Sequence, residues 1–172
     1  MDTKKILALT LIVLELFSCM SVASAGWFDW FGGSKELQNQ TYTIEGMKVD
    51  LPENATMFNI SSTSNGVYSN TYYISWGNAS DGNNGSIDIG YATGSNLVRS
   101  ADEFIQNWAD LGAKSEGSYK DWVIINRDGV PYSSGSGSYS GYILGNYRNG
   151  SMYLLMGDNL TFLKSVIDTI SF

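Results

Sequence analysis

Apolar and polar residues alternate along most of the chain from Thr41 onward, and this period of two constrains the fold more than any other feature. Successive side chains of a strand point to opposite faces, so the pattern predicts strands with one buried face. Residues 67–76 and 86–92 show it best. The aligned apolar residues are Tyr72, Ile74 and Trp76 in the first segment and Ile87, Ile89 and Tyr91 in the second.

Further strands are predicted on both sides of this pair. Residues 42–51 read as two short strands that pivot at Glu45–Gly46, and residues 56–61 are another apolar-polar run anchored by Met57 and Ile60. Residues 78–85 form a predicted hairpin loop rich in Asn and Gly. The apolar run 122–125 is typical of a central strand buried on both faces. Asn149–Gly150 lies between two apolar runs and predicts a hairpin.

Two helices are predicted. Ser100 and Glu103 form a capping box before residues 104–111, where apolar residues follow at helical spacing, and Gly112 ends the helix. Asp158 is the predicted cap of a last helix whose apolar stripe is Leu160, Leu163, Val166, Ile167 and Ile170. The order of a run of strands, a helix, three strands and a second helix indicates an α+β fold, an antiparallel sheet with two main helices packed against it.

The opening segment 42–52, the capped helix at Ser100 and the closing hairpin with residues 160–170 resemble the Mog1/PsbP/DcrB-like superfamily, which includes small secreted archaeal proteins. The resemblance covers roughly residues 40–172. It implies an α/β/α-like sandwich that serves as a binding or accessory module and is not usually an enzyme. The insertion between Pro131 and Tyr142 departs from a compact version of that fold.

The first 25 residues have the pattern of a secretory signal peptide. Two lysines precede the apolar run 6–14, and small residues end the segment at Ala25, which predicts cleavage between Ala25 and Gly26. A retained membrane anchor and lipoprotein processing at Cys19 are the alternatives. Cleavage would place an aromatic segment and linker at residues 26–37, followed by a single domain at residues 38–172.

Cleavage of the 172-residue chain leaves 147 residues without any cysteine, because Cys19 is the only one. The chain also contains no histidine, so imidazole catalysis, disulfides and His or Cys metal sites are excluded from the mature part. Its net charge of −7 makes a nucleic-acid partner unfavourable. No cofactor and no metal are expected.

Seven Asn-x-Ser/Thr sequons favour a secreted or cell-surface glycoprotein. Asn159 is the weakest of them because it lies where a packed helix is expected to begin. The predicted glycosylation sites are therefore Asn39, Asn54, Asn59, Asn78, Asn84 and Asn149.

Aromatic residues are the main candidates for binding. Residues 26–34, which follow the cleavage site, could contact a membrane interface or a partner, or could dock on the domain of the same chain. Trp76, Trp108 and Trp122 are expected in the core. The candidate binding residues are Trp27, Phe28, Trp30, Phe31, Tyr132, Tyr139 and Tyr142.

Two weaker chemical hypotheses involve acidic residues. A loose calcium site could use Asp81, Asn83 and Asp88, although a plain Asn/Gly turn explains the same residues. A glycosidase-like carboxylate pair could come from a set of five acidic residues, of which Glu103 already has a role in the capping box. The set is Asp88, Asp102, Glu103, Asp110 and Glu116.

The sequence thus favours a non-catalytic secreted or cell-surface glycoprotein module that binds another surface molecule, either a protein or a glycan. The alternative is an extracellular polymer-acting hydrolase that uses a carboxylate pair. A pocket with two close carboxylates would favour the hydrolase, and an exposed aromatic patch would favour the binding module.

Secretion predicts a mature chain that begins at Gly26. The small residues before this position fit signal-peptide cleavage. Intact-mass spectrometry of the secreted, deglycosylated protein checks this, and a mass that includes residues before Gly26 would contradict it.

Overall fold

A computed structural model describes residues 39–77, 84–132 and 137–172 of the chain. These residues form an α+β structure dominated by antiparallel sheet, which confirms the predicted class. The elements are β1 Asn39–Ile44, β2 Met47–Pro52, β3 Thr56–Ser64, β4 Val67–Trp76, β5 Gly85–Gly94, α1 Ala101–Ala109, β6 Lys114–Tyr119, β7 Trp122–Asn126, β8 Tyr142–Arg148, β9 Ser151–Gly157 and α2 Leu160–Thr169.

Seven strands form one sheet in the order β3-β4-β5-β9-β8-β7-β6, and β1 pairs with β2 in a separate two-stranded sheet. Every neighbouring pair is antiparallel. β9 is the middle strand of the seven, while β3 and β6 are its two edges. The most buried strand therefore lies at the centre of the sheet, and β3 and β6 each have a neighbouring strand on one side only, among the described residues.

Tight turns connect consecutive strands. Glu45–Gly46, Asn65–Gly66 and Asn149–Gly150 are two-residue connections, and all six residues have positive φ, between 48° and 83°. Such left-handed turns match the twist of paired strands. The predicted pivot at Glu45–Gly46 and the predicted hairpin at Asn149–Gly150 are confirmed.

A hydrophobic cluster lies on each face of the large sheet. In β7, Trp122 and Ile124 belong to one hydrophobic cluster, together with residues of the β1–β2 hairpin and α2. Val123 and Ile125 belong to a second cluster, together with residues of α1. We call these two sides of the sheet the hairpin face and the α1 face. The prediction that residues 122–125 are buried on both sides is confirmed, but β7 lies next to edge strand β6 instead of at the centre.

A polar network fixes the β1–β2 hairpin on the sheet. Glu45 Oε1 accepts hydrogen bonds from Asn70 Nδ2 at 2.9 Å and from the Tyr72 hydroxyl at 2.8 Å. The Tyr153 hydroxyl donates to the main-chain oxygen of Glu45 at 2.9 Å. Burial, with the nearby Glu45 carboxylate, raises the pKa of Tyr72. Buried polar groups on β4 are thus satisfied by the turn of the hairpin.

The helix caps confirm one prediction and correct another. Ser100 Oγ accepts the Glu103 N–H at 3.1 Å, and the Glu103 carboxylate accepts the Arg99 N–H at 2.9 Å. The predicted cap of the last helix was wrong: Asn159, not Asp158, accepts the Phe162 N–H, at 3.1 Å. Either residue type can cap a helix, so composition did not separate them.

Two further predictions about strands need correction. β6 was not predicted because Lys114–Tyr119 is polar and mostly exposed, as an edge strand can be. Met57 and Ile60 do not anchor one core together, because they lie on opposite faces and Ile60 is exposed. Residues 78–83 of the predicted hairpin loop lie outside the described residues.

Substituting Gly145→Ala should destabilise the fold. A Cβ at Gly145 would lie 2.8 Å from the Phe104 ring, which packs against β8 at that point. Overpacking of this kind costs about 1–3 kcal/mol in free energy of unfolding. Gly157→Ala is the matched control, because its Cβ would come no closer than 3.5 Å to Leu163. Urea unfolding of both variants tests the expectation, and equal stabilities would contradict it.

Candidate functional site

The two edges of the large sheet differ in sequence. β6 carries Lys114 and Glu116, and its pairing with β7 shifts register between Ser115 and Ser118. Charges and bulges are the usual protection of an edge against pairing with another chain. β3 has neither, since Thr56–Ser64 contains no charged residue and pairs with β4 without a register shift. β3 is therefore an unprotected edge of nine residues.

The turn after β3 determines which of its backbone groups face away from the sheet. Because Asn65–Gly66 is a two-residue turn with positive φ, Ser64 and Val67 form a hydrogen-bonded pair, and alternate residues back along β3 do the same. The N–H and C=O groups of the residues in between point outward. These residues are Met57, Asn59, Ser61 and Thr63.

Two apolar side chains flank these outward groups on the α1 face of the sheet. Phe58 is 51% exposed and Ile60 is 44% exposed. The Phe58 ring stacks on Tyr73 of β4, with centroids 4.9 Å apart and an interplanar angle of 16°. We define the β3 edge surface as the outward backbone groups of Met57–Thr63 together with Phe58 and Ile60.

The other side of β3 is polar. Asn59 Nδ2 donates to Asn70 Oδ1 at 2.9 Å, and Asn70 in turn donates to Glu45. The side chain of Asn59 therefore lies on the hairpin face, opposite Phe58 and Ile60. Its Nδ2 atom, which would carry a glycan, is engaged in this hydrogen bond.

A charged cluster occupies the α1 face at one end of the sheet. Arg127 is only 9% exposed, and its Nε donates to the Ser140 main-chain oxygen at 3.1 Å. Its guanidinium carbon lies 5.3 Å from the centroid of the Tyr139 ring. Nη1 is buried without a hydrogen-bond partner among the described residues. Burial lowers the pKa of Arg127, while the charges of Asp88 and Asp158 raise it.

Backbone pairing brings this cluster together. The Arg127 N–H donates to the Gly141 main-chain oxygen at 3.0 Å, and Gly141 lies against Asp158 at the end of β9. A Cβ at Gly141 would come within 2.6 Å of Asp158 Oδ1, and its φ is +69°, so this position requires glycine. Burial raises the pKa of Asp88 to about 6. The charge of Arg127 acts to lower this pKa, and the charge of Asp158 acts to raise it.

The tyrosine candidates do not form one binding surface. Tyr139 is buried in the α1-face core, with its ring 5.7 Å from Trp108, so it is not an exposed contact residue. Tyr132 is half-buried against Tyr139, with ring centroids 4.6 Å apart. Tyr142 packs against the cluster on the hairpin face, on the other side of the sheet. Trp76, Trp108 and Trp122 are all buried, as expected.

The acidic candidates are dispersed. Glu103 caps α1, Asp110 accepts from Gln106 Nε2 at 2.6 Å, and Glu116 accepts from Asn126 Nδ2 at 3.0 Å. Asp102 is exposed on the first turn of α1, and Asp88 lies on β5. Asp81 and Asn83 lie outside the described residues. Within the described ranges, no group of three or more acidic, His or Cys side chains is arranged to hold a metal ion.

Several predicted sites lie in parts of the chain that are not described. The described sequons are exposed at Asn39, Asn54, Asn59 and Asn149 and half-buried at Asn84, while Asn159 caps α2. In the described part of the chain, no helix is long and apolar enough to cross a bilayer. The predicted residues outside it are Ala25, Gly26, Trp27, Phe28, Trp30, Phe31 and Asn78.

A cavity of about 150 Å³ lies between α1 and the sheet. Its lining includes Phe104 and Gly145, and Asp121 is the carboxylate among the lining residues. Asp121 Oδ2 lies 3.9 Å from Arg148 Nη1. The cavity thus contains one carboxylate instead of the pair that the hydrolase alternative needs.

Comparison with protein-family models, with curated proteins and with solved structures finds no match for this chain. The protein is therefore described by its fold and by its edge strand. It is an α+β structure with a hydrophobic cluster on each face of the large sheet and one long, uncharged edge strand.

Neither the β3 edge surface nor the charged cluster around Arg127 was predicted from the sequence. The charge-free run 56–64 before Asn65–Gly66 was the available signal for the β3 edge surface, but it does not show which strand lies at an edge. Arg127 and Asp158 gave no signal, because their electrostatic interaction depends on pairing between β7, β8 and β9.

Acidification should stabilise the protein through Asp88. Its pKa of about 6 in the folded state exceeds the ordinary value of 3.8, so the folded state takes up this proton first as the pH falls. The free energy of unfolding of the natural protein, relative to Asp88→Asn, should rise by up to about 3 kcal/mol between pH 7 and pH 4.

Urea unfolding at four pH values between 7 and 4 measures this difference. A difference between the natural protein and Asp88→Asn that stays constant over this range would contradict the assignment.

Proposed function

We propose that this chain is a non-catalytic secreted or cell-surface glycoprotein module that binds an extended segment of another surface protein along β3. The observation that carries the proposal is the β3 edge surface, where outward N–H and C=O groups run beside the exposed Phe58 and Ile60. An extended segment added to a sheet edge gains affinity from main-chain hydrogen bonds and specificity from alternate side chains.

A protein partner fits this surface better than a glycan. Eight outward backbone groups at strand spacing match the alternating donors and acceptors of another strand. The apolar side chains on one side offer a partner strand cross-strand contacts of the kind that stabilise sheets. A glycan would use ring stacking, and one face of the Phe58 ring is already occupied by Tyr73.

Secretion and glycosylation belong to the same proposal. They are supported by the predicted signal peptide and by exposed sequons at Asn39, Asn54 and Asn149. Coverage of both sheet faces supports an α/β/α-like sandwich of the kind found in the Mog1/PsbP/DcrB-like superfamily.

The hydrolase alternative has one observation in its favour, the raised pKa of Asp88 near Asp158. A general acid with a pKa near 6 is typical of glycosidases. However, Arg127 lies buried beside these two carboxylates, and the cavity under α1 is lined by a different one, Asp121. The pair therefore fits charge compensation of Arg127 better than catalysis.

Ile60→Lys should weaken binding to the outer surface of the cells that make this protein by at least about tenfold, or about 1.4 kcal/mol. A charge at the centre of the edge strand opposes strand addition. The measurement uses fluorescently labelled, secreted full chain and cell envelopes that carry the natural protein. Ser118→Lys, on the exposed edge strand β6, is the matched control and should bind like the natural protein.

Protease treatment of the envelopes should abolish the binding, and removal of glycans should leave it unchanged. Binding that survives protease but not glycan removal would contradict a protein partner. Equal binding by Ile60→Lys and Ser118→Lys would contradict the use of β3.

A further inference from the structure

Among the described strands, β3 has a neighbour on one side only, and its pattern is complementary to itself. We infer that the partner strand at this edge is β3 of a second copy of the chain, paired antiparallel so that two seven-stranded sheets join into one. The inference rests on the proposed function, since it names the protein that the β3 edge surface binds.

The outward backbone groups fix the register of this pairing. They belong to odd-numbered residues, so hydrogen-bonded pairs across the interface must join odd residues to odd residues. Full overlap of the nine-residue strands then places Ile60 opposite its own copy. Met57 faces Thr63 and Asn59 faces Ser61 as hydrogen-bonded pairs. All four outward N–H and four outward C=O groups of each copy are used in this register.

The side chains agree with the same register. Ile60 meets the second Ile60 in a non-hydrogen-bonded pair, where side chains approach most closely. Phe58 of one copy lies diagonally across from Ile60 of the other copy, at a separation that an aromatic side chain can span. Exposed apolar surface of Phe58 and Ile60 is thereby covered in both copies.

Charge does not oppose the contact. Thr56–Ser64 contains no Asp, Glu, Lys or Arg, so no like charges meet along the strand, although the whole chain carries −7. The opposite edge could not pair in this way, because two β6 strands would bring together Lys114, Glu116 and a bulge. A two-fold axis midway between the two Ile60 residues closes the assembly at two copies.

Sedimentation equilibrium of the secreted full chain, from a host that does not glycosylate, tests the inference. The natural protein and Ser118→Lys should be dimers in the micromolar to sub-millimolar range. Ile60→Lys should be monomeric, with a dissociation constant at least tenfold weaker. Dimers that persist in Ile60→Lys would overturn the proposed pairing.

Engineered cysteines test the register. Ile60→Cys should form an intermolecular disulfide on mild oxidation, since Cα atoms of a non-hydrogen-bonded pair are about 4.5 Å apart. Ser62→Cys is the matched control, because its copy would lie four residues away, about 14 Å along the strand. Cross-linking of Ser62→Cys but not of Ile60→Cys would reject this register.

Failure of this inference is distinguishable from failure of the proposed function. If the natural protein is monomeric and Ile60→Cys does not cross-link, while envelope binding is still lost in Ile60→Lys, the partner is a different protein. If Ile60→Lys changes neither the oligomeric state nor envelope binding, both proposals are wrong.

Discussion

The fold depends on β9, the central strand, which supplies side chains to two hydrophobic cores at once. Leu155 faces the hairpin and α2, whereas Leu154 and Met156 face α1. A slip of one residue in its register would exchange these sets, so pairing with β5 and β8 is strongly specified. With β9 at the centre, the two helices pack on opposite faces and the remaining strands extend outward to two edges.

The two edges end this extension in different ways, and the difference gives the molecule its most informative surface. β6 combines Lys114, Glu116 and a bulge, which are ordinary defences against pairing. β3 is longer, straight in register and uncharged. An exposed edge of this kind costs solubility unless something pairs with it, and this asymmetry favours a binding role for β3.

Local signals in the sequence predicted much of the fold, whereas contacts between distant residues were not predictable. Asn149–Gly150 and the Ser100 cap act within a few residues, so their patterns were sufficient. β6 escaped prediction because an edge strand needs no buried face. The candidate site was missed because it depends on distant residues: the charge of Asp158 acts on Arg127 only after β7, β8 and β9 pair, and exposure of Phe58 depends on which strand is last in the sheet.

The β3 edge surface is held rigidly from both sides. On the hairpin face, Asn59 bonds to Asn70, which bonds to Glu45 in the turn of the β1–β2 hairpin. On the α1 face, Phe58 stacks on Tyr73, whose partner across the next pair is Asp88 of β5. A strand held in this way loses little conformational entropy when a partner pairs with it, so more of the interaction free energy contributes to affinity. The contacts that preorganise β3 therefore come from both faces of the sheet, as do the contacts that hold β9 at its centre.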